Sequence, residues 1–202
     1  MTRFLARSTA AAVLALTGPL AFSSAMADAK PYRIDPSHAA ITFTVAHVGF
    51  SETLFQFRDF DADILFDPDD LGAASNRVDL VIDAASLDSN WPRRDDHVRG
   101  DDFLDVESFP EIRFTSTGVE PTGKSELGQA QGVLFGDLTI RDVTLPQQFQ
   151  VTMNRKGEMR GTEVVGFTAT GVIDRTDYGI EFGAPAIGAE LQVWISLEIN
   201  PS

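Results

Sequence analysis

The chain contains no cysteine. That excludes disulfides, thiol catalysis, thiolate metal sites and the lipid-modified cysteine of a lipoprotein. Histidine is almost as scarce. His38, His47 and His97 are the full set, and none stands in an HxH or HExxH spacing. A metal site would need three distant segments to converge, so none is expected. A Gly-rich phosphate loop, a nucleophile elbow and a Ser-His-Asp order are also missing. Trp and Tyr are rare, two of each, whereas Phe occurs fifteen times. Phe has no polar handle, so many Phe imply large dry surfaces. Usually such surfaces are core; in a barrel they can also line a ligand site.

The N-terminus sets the expected compartment. Arg3 and Arg7 flank a short apolar run, Ala10 to Leu16, and Ala25-Met26-Ala27 has the small-x-small form of a cleavage site. Residues 1–27 therefore read as a cleaved secretory signal peptide. The alternative, a membrane anchor, is disfavoured because the run is short and Gly18-Pro19 interrupts it. Export with no lipidated cysteine points to the periplasm. Residues 28–202 form one domain without linker or repeat. With Arg3 and Arg7 set aside, 14 Lys and Arg face 30 carboxylates, a formal charge of −16. Such a surface is a poor partner for nucleic acid or anionic membranes, and stable membrane insertion is not expected. It keeps an exported protein in solution.

Period-two alternation recurs along the domain. Phe43 and Val45 share a face with Ala39, Ile41 and His47. Phe60, Ala62, Ile64 and Phe66 repeat the pattern, as do Val78, Leu80 and Ile82. Further strands centre on Ile112 and Phe114, on Leu138, on Phe149 and Val151, on Phe167 and Ala169, and on Val193 and Ile195. One apolar and one polar face mark antiparallel strands covered on one side. Eight such strands suggest an all-β antiparallel barrel, with a two-sheet sandwich as the rival. The last strand is expected to close on the first. Ala62, Gly136, Ala169 and Gly171 are small inward residues that either leave a tunnel or fit a tapered, filled core.

The segment Arg94-Asp95-Asp96-His97-Val98-Arg99 is dense in charge and ends in Asp102-Phe103-Leu104. It has no apolar face suited to a core helix. A short surface helix or turn is expected, pinned by Phe103, Leu104 and Phe109, and closing one mouth of the barrel.

Several of these segments resemble the YceI-like family of periplasmic polyisoprenoid-binding proteins. Tyr32-Arg33-Ile34-Asp35-Pro36-Ser37-His38 leading into Phe43-Thr44-Val45-Ala46-His47 is similar to the start of that family's domain. The Arg94–Arg99 cluster with Asp102-Phe103-Leu104 resembles its most recognisable motif. Gly136-Asp137-Leu138-Thr139-Ile140 and Asp174-Arg175-Thr176-Asp177-Tyr178-Gly179 continue the likeness in order. The resemblance implies a lipocalin-like barrel with a short helix near one end. It also implies a long internal pocket for an isoprenoid or similar lipid. Trp91-Pro92 departs from a helix-compatible sequence and leaves the helix length open.

The candidate ligand contacts are Phe43, Val45, His47, Phe60, Ile64, Leu138, Phe167, Ala169 and Ile195. Arg94, His97 and Arg99 are candidate head-group contacts, with a capping network among the neighbouring aspartates as the plainer reading. His47 reads as a core histidine before it reads as a ligand contact. The expected function is a periplasmic carrier that sequesters a polyisoprenoid or related lipid, including an isoprenoid quinone, with no cofactor beyond that lipid. The alternative is an enzyme acting on a lipid, with His47 or the Arg94–Arg99 cluster as acid–base groups. The oligomeric state stays open, a dimer included.

Overall fold

The computed structural model describes residues 29–202. The signal peptide and cleavage site expected over residues 1–27 lie outside the described residues. Ten strands follow one another: Lys30–His47 (β1), Ser51–Phe57 (β2), Phe60–Phe66 (β3), Arg77–Asp83 (β4), Leu87–Asp88 (β5), Glu111–Lys124 (β6), Ala130–Ile140 (β7), Val143–Met159 (β8), Thr162–Asp174 (β9) and Ile187–Pro201 (β10). One α-helix, Pro92–Arg99 (α1), stands between β5 and β6.

The ring of neighbours runs β1-β3-β4-β6-β7-β8-β9-β10 and returns to β1. This is a closed eight-stranded antiparallel barrel. The closing seam pairs Ile41 with Ile195, Phe43 with Val193 and Val45 with Leu191. Closure removes the apolar edges that the first and last strands would otherwise expose. β2 and β5 were not foreseen as separate strands. They prolong β3 and β4: β1 pairs with β3 through Lys30–Tyr32 and with β2 through Ile41–His47, and β5 adds to β2 at Leu87 and Asp88.

Helix α1 starts on the proline that had seemed out of place. Pro92 occupies the first turn, where its missing N–H costs nothing, and Trp91 is extended at the cap. Phe103 is buried, and Leu104 packs against the main core. Arg141 lies over the Phe109 ring. The charged cap is thus held over the barrel by aromatics, as the sequence suggested.

Two of the small inward residues do not open space. A Cβ on Gly136 would meet the Phe114 ring at 2.3 Å, and one on Gly171 would meet the Phe149 ring at 2.6 Å. Each glycine gives room to an aromatic ring from the adjacent strand, and the two rings meet edge to face at 5.5 Å. Gly136 and Gly171 therefore belong to a filled layer. Ala62 and Ala169 border empty space.

Candidate ligand-binding site

An internal cavity of about 230 Å³ runs through the barrel. Phe43, Ile64, Leu138, Phe167, Ala169 and Ile195 stand on its wall. Val45 and Phe60 are inward but packed within the core clusters, away from the cavity. His47 is exposed at the end of β1. The pairing with β10 slips between Val45 and His47, so the alternation that aimed His47 inward does not reach it.

Only five lining residues carry polar side chains: Thr42, Asn76, Arg77, Ser116 and Arg175. Three of them spend those groups on backbone. Thr42 Oγ1 donates to the Trp194 carbonyl at 3.0 Å. Asn76 donates to the Asp70 and Leu71 carbonyls and accepts from Asp67 N–H. Ser116 Oγ accepts from Val78 N–H at 2.8 Å. Leu65 and Arg77 are the only exposed lining residues, so the cavity comes nearest to solvent at the β3–β4 connection.

The opposite end lies under the cap. Arg175 is 4% exposed. It donates to the carbonyls of Gly188 (2.9 Å), Ile180 (2.5 Å) and Ile187 (2.9 Å), and its guanidinium lies 5.9 Å from the Phe103 ring centre. Desolvation lowers its pKa. In sequence Arg175 stands within the segment Asp174-Arg175-Thr176-Asp177-Tyr178-Gly179 with no role of its own. Its signal was an arginine sandwiched in a loop that also carries Tyr178, which is fully buried.

The other charged residues of the cap are consumed by structure. Asp95 is buried and accepts from Ser89 N–H at 2.9 Å and from the Ser89 hydroxyl. Arg94 donates to Ser89 Oγ and to its carbonyl, each at 2.7 Å, and stacks over Phe55 and Trp91. Arg99 donates to the Ala85 and Leu87 carbonyls. His97 is exposed, bonded to Asp102 at 3.0 Å, with its ring edge to face on Phe103 and Phe182. None of the three lines the cavity. The capping network is therefore the better account of Arg94, His97 and Arg99.

On the exterior, closure of β1 on β10 brings Asp35, His38 and Glu198 together, with ligand atoms within 4.8 Å of one another. No spacing in the sequence announces this group. His38 Nδ1 lies 3.0 Å from Asp35 and 3.8 Å from Glu198. The hydrogen bond that His38 donates to Asp35, then the charge of Glu198, raises the His38 pKa. The Ser37 hydroxyl, then His38, holds Asp35 at about 2.

A YceI-like domain model matches residues 32–199. The chain belongs to the YceI-like family. Among its relatives, a UPF0312 protein of Pseudomonas putida strain W619 is 38% identical over 190 residues, covering 93% of this chain and 94% of the relative. Protein YceI of Escherichia coli O157:H7 is 34% identical over 182 residues, covering 89% and 91%. The fold is that of Burkholderia cenocepacia BcnA (TM-score 0.71, 23% identity, 82% of this chain and 98% of that one). A polyisoprenoid-binding domain from Saccharophagus degradans shares it too (TM-score 0.64, 14% identity, 86% and 99%). No helix among the described residues of this YceI-like chain is long and apolar enough to cross a membrane.

Proposed function

We propose that this YceI-like protein is a periplasmic lipid carrier that sequesters a polyisoprenoid or related apolar chain inside its barrel. The observation that carries the reading is the cavity itself. Its wall is apolar, and Thr42, Asn76 and Ser116 turn their polar groups to backbone. Such a space repels water and rewards hydrocarbon. Each five-carbon isoprene unit withdrawn from water contributes about 4 kcal/mol at ~0.8 kcal/mol per carbon. The acidic exterior keeps the loaded protein in solution.

The enzymatic alternative loses its geometric support. His47 sits outside the barrel, and Arg94 and Arg99 are committed to Ser89 and to backbone carbonyls. The Saccharophagus domain of the same fold is named for polyisoprenoid binding, which supports a lipid ligand, and the signal-like N-terminus supports the periplasm.

The test is native mass spectrometry of the protein purified from its own periplasm, followed by lipid extraction. An adduct that dissociates to a prenyl or long-chain lipid is expected. Protein that is exported, folded and free of any adduct, and that fails to take up prenyl lipid afterwards, would remove the carrier reading.

A further inference from the structure

Histidine spacing offers no metal site, yet the fold assembles a three-donor group that needs only one histidine. Asp35 and His38 stand where the pairing of β1 with β10 slips. Ile34 pairs with Ile199, and the next pair is Ala39 with Leu197. Between those pairs stand Asp35, Pro36, Ser37 and His38 on β1, against Glu198 alone on β10. A bulge of this kind re-aims side chains that a regular ladder would spread along the sheet. Here it brings Asp35 and His38 against Glu198. On the other side of β10, Glu198 pairs with Gly166, which has no side chain to cover it.

His38 Nδ1 lies 3.0 Å from Asp35 Oδ2 and 3.8 Å from Glu198 Oε2. A four-coordinate ion with bonds of about 2.0–2.1 Å sets its donors roughly 3.3–3.4 Å apart. The two distances bracket that value, and all three side chains reach solvent and are free to adjust. Asp35 also has the hydrogen-bonded support that a ligating carboxylate needs. Ser37 N–H and Ser37 Oγ both donate to Asp35 Oδ1, at 2.9 and 2.6 Å, which leaves Oδ2 facing His38. His38 and Glu198 border an open groove with Asn154, Arg155 and Trp194, so an ion held between them keeps one side free for water. The exposed pair His97–Asp102 has the same 3.0 Å separation. Among the described residues, only Asp35, His38 and Glu198 form a three-donor group.

We propose that Asp35, His38 and Glu198 bind one divalent transition-metal ion of the zinc class, with water at the remaining position. An imidazole nitrogen beside two carboxylates suits Zn²⁺. Ca²⁺ takes six to eight oxygen ligands and Mg²⁺ an octahedron of oxygens, so both are disfavoured here. The formal charge of −16 draws every cation to this surface, and the nitrogen donor supplies the selectivity. The ion takes the place of the proton that His38 donates to Asp35. Its donors come from the first strand and the last, so it clasps the closing seam from outside the barrel. The site is independent of what the cavity holds. The plainer role of the group, a surface ion pair that shapes the bulge, predicts no more response to metal than at His97–Asp102.

The test titrates Zn²⁺ into metal-stripped protein, expressed without a histidine tag, and follows it by calorimetry and by NMR of the histidine rings. One equivalent is expected to bind, with the His38 ring resonances moving and those of His47 and His97 staying in place. His38→Ala and Glu198→Gln should each weaken binding at least about tenfold, the least that loss of a ligand costs when loss of a supporting residue already costs that much. His97→Ala, at the pair that lacks a third donor, should leave binding unchanged. Mg²⁺ and Ca²⁺ should bind at least about tenfold more weakly than Zn²⁺. A hundredfold excess of Zn²⁺ over its Kd should raise the wild-type Tm by about 5 °C, and His38→Ala should abolish the rise. Should a variant not fold, the wild-type ring resonances decide. A Zn²⁺-dependent shift confined to His38 supports the site, and a response shared equally by the three rings overturns it. No binding in the wild type also overturns it. So does binding that survives both substitutions, an equal loss in His97→Ala, or Mg²⁺ bound as tightly as Zn²⁺.

Discussion

Beneath the cap, Leu87 and Tyr178 are sealed at 0% and 1% exposure, while midway along the wall Phe43, Phe167 and Ile195 remain only partly buried. Both regions are built from the same apolar alternation on the same kind of strand. What differs is the opposite side. Leu87 and Tyr178 face side chains that fill the space, with Gln147 donating to the Tyr178 hydroxyl at 3.2 Å. The wall residues face a cavity. The lesson is a division of labour within one barrel: the capped end supplies stability, and the mid-barrel wall holds space open at the expense of dispersion contacts.

That comparison can be broken by mutation. Leu87→Ala removes a sealed side chain and should cost about 3 kcal/mol, within the usual range for fully buried leucines. Urea unfolding with an unchanged slope would verify it. A cost near zero would mean the capped end is not where stability lies. Asp95→Ala strips the partner from Ser89 N–H and hydroxyl and should cost about 2 kcal/mol through unsatisfied buried donors. Ser89, which anchors Arg94, would lose its own support, so crosslinking or fluorescence of the neighbouring Trp91 should report a loosened cap.

Wall substitutions sharpen the contrast from the other side. Ile195→Val should cost only about 0.5–1 kcal/mol. Ala62→Leu should stabilise by about 1 kcal/mol by filling space, while weakening uptake of a prenyl probe. Calorimetric unfolding paired with probe titration measures both, and a stability loss in Ala62→Leu would show that the cavity is smaller than its wall implies.

The smallest effect belongs to the exterior group. The His38 pKa is raised, so its contribution is fully present below the unfolded value of about 6.5. It disappears as pH rises through the folded pKa. Asp35, held at about 2, contributes above its unfolded value of about 3.9 and loses that contribution as pH falls toward 2. The pair is therefore charged on both sides between those limits. An NMR titration of His38 should show a midpoint above 6.5 that returns toward it in Asp35→Asn. An unmoved midpoint would remove the coupling.

The barrel was legible because strand alternation and closure are both local-pattern statements. Eight apolar faces were readable, and a first and last strand of equal apolarity implied the seam. β2 escaped notice because Leu54 faces water between Phe55 and Thr53 and blurs the alternation. The site was less legible. His47 was placed by counting along a strand whose register slips after Val45. Whether Gly136 and Gly171 opened a tunnel or fitted a filled core was undecidable, because their filling rings, Phe114 and Phe149, come from neighbouring strands. Arg175 stood within a motif without a role, because only the fold buries the loop that carries it.

The central claim is that an apolar chain occupies the barrel interior beside Ala169, a buried wall residue paired with Ile195 and Val151. Ala169→Trp tests it most directly, through prenyl-lipid affinity and thermal unfolding measured on one preparation. The account predicts a cooperatively unfolding barrel that has lost most of its affinity, at least tenfold. A variant that folds cooperatively and binds prenyl lipid as tightly as the wild type would contradict it.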